Sequence, residues 1–203
     1  PAQLLDGPPP WAPAAAAGKT QQKSKKGGKK QHKGRPAGPY SVDVLRLWVA
    51  MSDWTSDVAV GETILGKSQE AYRRLRLSCR FMLGNLHDFD PTKDAVPLAA
   101  MRLGDRHMLH QLADFSQRAA TSYDAYAINR VVTSALVLAS ESLSGRYFDA
   151  TKDRLYCGAA DGASRRAVQT VLHATLDQVL LAIGPILPFL AEEVHQHRPA
   201  PRP

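Results

Sequence analysis

Cysteine is nearly absent from this chain of 203 residues: Cys79 and Cys157 are the whole supply. Two thiols cannot build a disulfide framework or a cysteine-rich zinc site, and the composition predicts an intracellular protein with reduced thiols. Long apolar runs are missing too. The most hydrophobic stretch, 168–190, is interrupted by His173, Asp177, Gln178, Pro185 and Pro188, so it lacks the roughly 20 unbroken apolar residues of a membrane span and reads as a core helix. No apolar segment follows a basic start, so no secretory signal is expected, and the missing initiator methionine suits a piece of something longer. Nor is there the strict alternation that marks a half-buried strand.

Catalytic signatures are equally scarce. Gly27-Gly28 lies among lysines with no strand before it, so it lacks the strand–turn–helix context of a phosphate-binding loop. His107 with His110, and His195 with His197, could each offer two imidazoles, but a structural metal site needs about four ligands. Acidic residues are scattered singly. No catalytic residue, no metal site and no cofactor are therefore expected in this segment.

What the chain does have is a lopsided charge. The formal net charge is +7, yet residues 1–35 hold eight Lys or Arg against Asp6 alone, and the rest of the chain is balanced. A basic end of this kind attracts any polyanion. Residues 1–39 run from Pro/Ala-rich to Lys/Gly/Gln-rich with no periodic apolar positions, so this tail is expected to be disordered.

From Tyr40 onward the pattern is helical. Ser41 is a natural N-cap for a short helix with Val44, Leu45, Trp48 and Val49 on its apolar face. Tyr72, Leu75, Cys79, Met82 and Leu86 recur at threes and fours along a second helix that Pro91 and Pro97 close. Asp105 is the expected N-cap of a third, carrying Met108, Leu112, Phe115, Ala119 and Tyr126. The next pattern runs from Ile128 to Leu155, with Gly145 as a bend, and another from Val168 to Ile183 before Gly184-Pro185 stops it. Pro188 suits the first turn of a last short helix. The fold class this predicts is all-α, an up-and-down helical bundle, with a junction at 40–60, the helical domain at 61–199 and a short tail at 200–203.

Two basic clusters invite a nucleic-acid reading. Arg73, Arg76 and Arg80 share one face of the second helix, where guanidinium groups could bridge successive phosphates; a solvated polar face with Glu70 as partner explains them equally. Lys152, Arg154 and Tyr156 end the third long pattern. Cations there complement the helix dipole, and the tyrosine could stack on an unpaired base or simply pack.

A resemblance bears on that choice. Tyr40 to Ala50 (Tyr-Ser-Val-Asp-Val-Leu-Arg-Leu-Trp-Val-Ala), Arg80 to Leu86, Phe89-Asp90-Pro91, Lys152 to Cys157, Arg165-Arg166, Gln169-Thr170 and Pro185 to Glu193 together resemble a bacterial and mitochondrial type of isoleucyl-tRNA synthetase. The similarity covers the junction after the catalytic fold and part of the helical anticodon-binding domain. Taken with the two basic clusters, it makes Arg73, Arg76, Arg80, Lys152, Arg154 and Tyr156 the expected tRNA-binding residues. It implies a monomeric parent that charges isoleucine-accepting tRNA using ATP with magnesium. The family's ATP signatures and editing domain have no counterpart in these 203 residues, so this segment alone is expected to be inactive in that reaction. The basic tail looks eukaryotic, which points to the mitochondrial matrix, with the cytoplasm as the alternative. A helical protein-interaction module and a gene-model fragment without a role of its own remain the competing readings.

Overall fold

The computed structural model describes residues 40–198, all of whose regular structure is helical. The expectation of a disordered tail falls on residues outside that range. Seven α-helices follow one another: α1 (Val42–Met51), α2 (Glu62–Asn85), α3 (Leu103–Asp124), α4 (Ile128–Val137), α5 (Phe148–Tyr156), α6 (Ala163–Ile183) and α7 (Pro188–Gln196). A π-helical segment (Leu138–Tyr147) joins α4 to α5 without a break, and a single 3-10 turn (Leu98–Ala100) precedes α3.

The long helices pack around one hydrophobic core. Leu75 and Met82 of α2, Met108 and Phe115 of α3, Val131 of α4, Leu143 of the π segment, Leu172 and Leu176 of α6 and Leu190 of α7 are all nearly or fully buried within it. Each such side chain contributes about 1.5–3 kcal/mol relative to exposure. The apolar rhythm of threes and fours therefore predicted the right faces for α2, α6 and, through Ala119, α3, whereas Tyr126 lies beyond α3 and is exposed.

α1 differs. Ser41 caps it as expected, its hydroxyl accepting from the Val44 amide. The buried face, however, is Asp43, Val44 and Leu47, while Leu45 and Val49 are exposed. Val44 and Leu47 are three apart and point to the core; Leu45 and Val49, four apart, form the opposite stripe.

Asp43 and Arg46 together fix α1 to the turn between α6 and α7. The Asp43 carboxylate accepts the Leu190 backbone N–H at 2.8 Å, 147 residues away. Leu190 lies in the first turn of α7, whose N-cap Leu187 has no side-chain acceptor, so Asp43 serves as a cap supplied from another helix. Burial raises the Asp43 pKa, opposed by the Leu190 and Phe189 amides. Arg46 donates to the carbonyls of Ile186 at 2.9 Å and Pro185 at 2.7 Å, just past the C-terminus of α6. A carboxylate thus faces a helix N-terminus and a guanidinium a C-terminal turn, each matched to the local dipole.

Three further expectations are corrected. α2 ends at Asn85, with Pro91 and Pro97 in the following loop. Asp105 is not the N-cap of α3, which starts at Leu103; it sits within the first turn, wholly buried. The pattern from Ile128 to Leu155 is one continuous rod, but its centre is π-helical, with Gly145 inside the π stretch. A Cβ on Gly145 would stand 3.0 Å from the Ser140 carbonyl oxygen.

The α3–α4 corner has its own irregularity. Ala127 N–H reaches the Ser122 carbonyl and Tyr126 N–H the Tyr123 carbonyl, the paired bonds of a Schellman turn. The residue in the left-handed conformation is Tyr126, at φ 53°, where glycine is usual.

Candidate nucleic-acid interface

α2 carries the arginine row. Arg73 is exposed and makes two hydrogen bonds to Glu70, at 2.9 and 2.7 Å, and that pairing holds the Glu70 carboxyl below its ordinary range despite the small opposing effect of burial. Arg76 turns inward along the helix and pairs with Glu193 of α7. Arg80 is exposed. Seven residues apart, Arg73 and Arg80 share a face, and Arg76 is displaced toward the α7 side.

α5 carries the second cluster. Lys152 is exposed and bonds Asp149 at 2.8 Å, one turn back. Tyr156 is 63% exposed, with its ring available to solvent. Arg154 behaves otherwise. Its guanidinium grips both oxygens of Asp105 at 2.9 and 2.7 Å and also donates to the Ser164 hydroxyl and carbonyl. Tyr147 donates to the same carboxylate at 2.8 Å, and burial with the nearby Asp105 charge pushes the Tyr147 phenol well above its ordinary value. Arg154 therefore ties α5, α3 and the start of α6 together at the end of the helix that carries Tyr156. The next turn needs Gly158, because a Cβ there would come within 2.6 Å of the Arg154 carbonyl oxygen.

α2 and α5 meet where Phe81 stacks on Phe148, ring centroids 4.1 Å apart. Arg80 immediately precedes the first ring; Lys152 and Tyr156 lie one and two turns beyond the second. That stack is the contact between the two helices that carry the clusters.

A third polar assembly escaped the sequence reading of single residues. Asp88, in the loop after α2, accepts Arg165 at 2.6 and 3.0 Å and Gln169 at 2.8 Å, while Arg166 donates to the Asp88 carbonyl and to Gln169 and lies 3.4 Å from Asp94. Burial works to raise the Asp88 pKa, but the bonds from Arg165 and Gln169 outweigh it and hold the carboxyl at about 2. One signal was legible: two arginines in the first turn of α6 oppose the helix dipole, so a carboxylate had to compensate them. Among the described residues no group of three or more His, Cys, Asp or Glu is placed to hold a metal ion.

Comparison with known proteins shows what the chain is similar to. Residues 105–202 match the model of the anticodon-binding domain of tRNA ligase. From α3 to α7 the bundle matches a tRNA-ligase anticodon-binding domain. The chain is 42% identical over 177 residues to the isoleucine–tRNA ligase of Thermosynechococcus vestitus, covering 87% of this chain and 18% of that protein. It is 42% identical over 161 residues to the mitochondrial isoleucine–tRNA ligase of Gallus gallus, covering 79% and 16%. With the isoleucine–tRNA ligase of Geobacillus kaustophilus it shares 43% over 160 residues, 79% and 17%. The chain thus spans less than a fifth of the length of these relatives, among which bacterial and mitochondrial enzymes are equally similar.

Proposed function

We propose that the chain is the tRNA-gripping part of an isoleucine–tRNA ligase and that RNA lies along the α2–α5 seam. The observation that carries this is the anticodon-binding-domain match over 105–202 together with exposed Arg73, Arg80, Lys152 and Tyr156 on the two helices joined by the Phe81–Phe148 stack. Arginine and lysine hold phosphates and set register, and an exposed ring stacks on an unpaired base. Arg76 and Arg154 take part as supports, the first tying α2 to α7 and the second holding the helix end that presents Tyr156. The whole parent attaches isoleucine to its tRNA as a monomer, in the mitochondrial matrix, using ATP and magnesium held by parts of the enzyme beyond this segment. No chemical step is assigned to the residues here.

The test compares tRNA affinity and unfolding midpoint for Arg80→Ala and Tyr156→Ala in the full chain. Arg80→Ala should weaken all tRNAs alike, and Tyr156→Ala should cost about 1–3 kcal/mol of binding with an unchanged midpoint. Unaltered affinity in both would remove the seam from RNA binding.

A second reading has one observation in its favour. Leu45, Trp48, Val49, Trp54, Tyr123 and Ile128 line an open, mainly apolar groove of about 710 Å³ on the outer side of α1, a surface suited to a polypeptide. A chain that binds no tRNA but is held through this groove would be an interaction module instead.

A further inference from the structure

The exposed apolar side chains are not spread evenly over the bundle. Among the described residues fifteen large apolar side chains are exposed, and seven of them fall within 42–60. Single apolar residues are ordinary on a protein surface, whereas a contiguous patch marks a contact face. The patch is organised by α1. Val42, Leu45 and Val49 are all exposed and stand at i, i+3 and i+7, the spacing of a helix–helix seam. Trp54, three residues beyond α1, is 76% exposed, and tryptophan is among the side chains that anchor protein interfaces.

This stripe borders the groove of about 710 Å³ described above. Leu45, Trp48, Val49 and Trp54 line it from the α1 side, and Tyr123, Ile128, Pro185 and Ile186 complete the lining. A helical ridge beside an apolar groove on one face is self-complementary, because the ridge of one copy fits the groove of another. A foreign partner would need the groove alone.

The charges on the face are few and mostly engaged. Residues 42–60 hold no lysine and four formal charges. Asp43 accepts the Leu190 amide, Arg46 donates to the Ile186 and Pro185 carbonyls, and Asp53 accepts from the Thr55 amide and hydroxyl at 3.0 and 2.6 Å. Three of the four are thus bonded within the chain, and depletion of lysine and of unmet charge is the mark of an interface centre.

We propose that this face pairs with the same face of a second copy of the chain. The two α1 helices run antiparallel about a two-fold axis, and Leu45 and Val49 of each copy enter the groove of the other. The area suffices. An aromatic side chain alone buries about 150–250 Å², so the seven exposed side chains within 42–60 reach the roughly 800 Å² per partner of a standard-size interface. The pairing goes beyond the tRNA reading and does not depend on it; the monomeric state proposed above is that of the far longer parent.

Sedimentation equilibrium of the full chain tests the pairing, at about 0.15 M salt to screen its net charge of +7. The mass should climb from 22.1 kDa toward twice that value between about 1 and 100 μM, the weak end of the affinities that interfaces of this size show. Val49→Glu puts an unpaired carboxylate into the contact from both copies and should weaken association by about tenfold or more. Its unfolding midpoint at low concentration should stay at the unsubstituted value, because Val49 is exposed in the single copy. Oxidative cross-linking supplies the geometry. With the exposed thiol removed by Cys157→Ser, Val49→Cys should give covalent dimers. Leu103→Cys should not, since Leu103 is 74% exposed but starts α3, about 30 Å along that helix from Tyr123. A mass of 22.1 kDa at every concentration would overturn the pairing and leave the groove to a different polypeptide. A dimer that survives Val49→Glu would overturn it by placing the contact elsewhere, and equal cross-linking at both cysteines would reduce it to non-specific association. None of these outcomes bears on the α2–α5 seam.

Discussion

Removing the Arg154 guanidinium would leave Asp105, wholly buried, with the Tyr147 hydroxyl as its remaining side-chain partner. An uncompensated buried carboxylate is costly, so Arg154→Ala should destabilise the domain by about 3–5 kcal/mol in a urea titration. Asp88 makes a pH prediction. Its folded pKa, about 2, lies below the ordinary 3.8, so its ionised form stabilises the fold above about pH 4. That contribution is lost as pH falls toward 2, a change of about 1–2 kcal/mol after allowing for its partial exposure. Acid unfolding followed by circular dichroism should show this step, and Asp88→Asn should abolish it. The sequence disclosed the residues here better than their partners. Arg154 was expected at a helix C-terminus and is there, but its partner lies 49 positions earlier. Spacing along one helix carries no information about so distant a contact. Asp105 suits a cap because carboxylates favour helix starts, and burial of its charge against Arg154 is what the local pattern could not express.

Helix by helix, periodicity identified the buried faces wherever a stripe spanned several turns, as in α2, α3 and α6. It failed on α1, where ten residues offer two candidate stripes and the neighbours α2 and α4 decide between them. The π segment was also beyond reach, since Gly145 signals an irregularity without saying which. At the α3–α4 corner, Tyr126→Gly should relieve the left-handed strain and raise stability by about 1 kcal/mol, read from the thermal midpoint. The cap on α7 gives the opposite sign. Asp43→Ala leaves the Leu190 amide unpaired and should cost about 1 kcal/mol. Asp43→Asn should cost less near neutral pH, because it keeps an acceptor while removing a buried charge whose raised pKa marks it as unfavourable when ionised.

Taken whole, the bundle and the basic end of the chain should separate in solution experiments. Deleting residues 1–39 should flatten the salt dependence of RNA binding, the slope of log K against log salt concentration shrinking by about 0.7–0.9 per lost phosphate contact. Any preference for the isoleucine tRNA should survive the deletion. An unchanged salt slope would show that those residues do not touch RNA. The ends of the described bundle are bound together in a way that bears on how it forms. Asp43 and Arg46 lie on the first helix, and their partners, Leu190, Ile186 and Pro185, stand 139 to 147 positions later. During synthesis, α1 emerges from the ribosome long before the groups that complete it, so it must wait as an unfinished element until α6 and α7 arrive. Closure of the first helix on the last is then a late folding event, and weakening it should speed unfolding more than it slows folding.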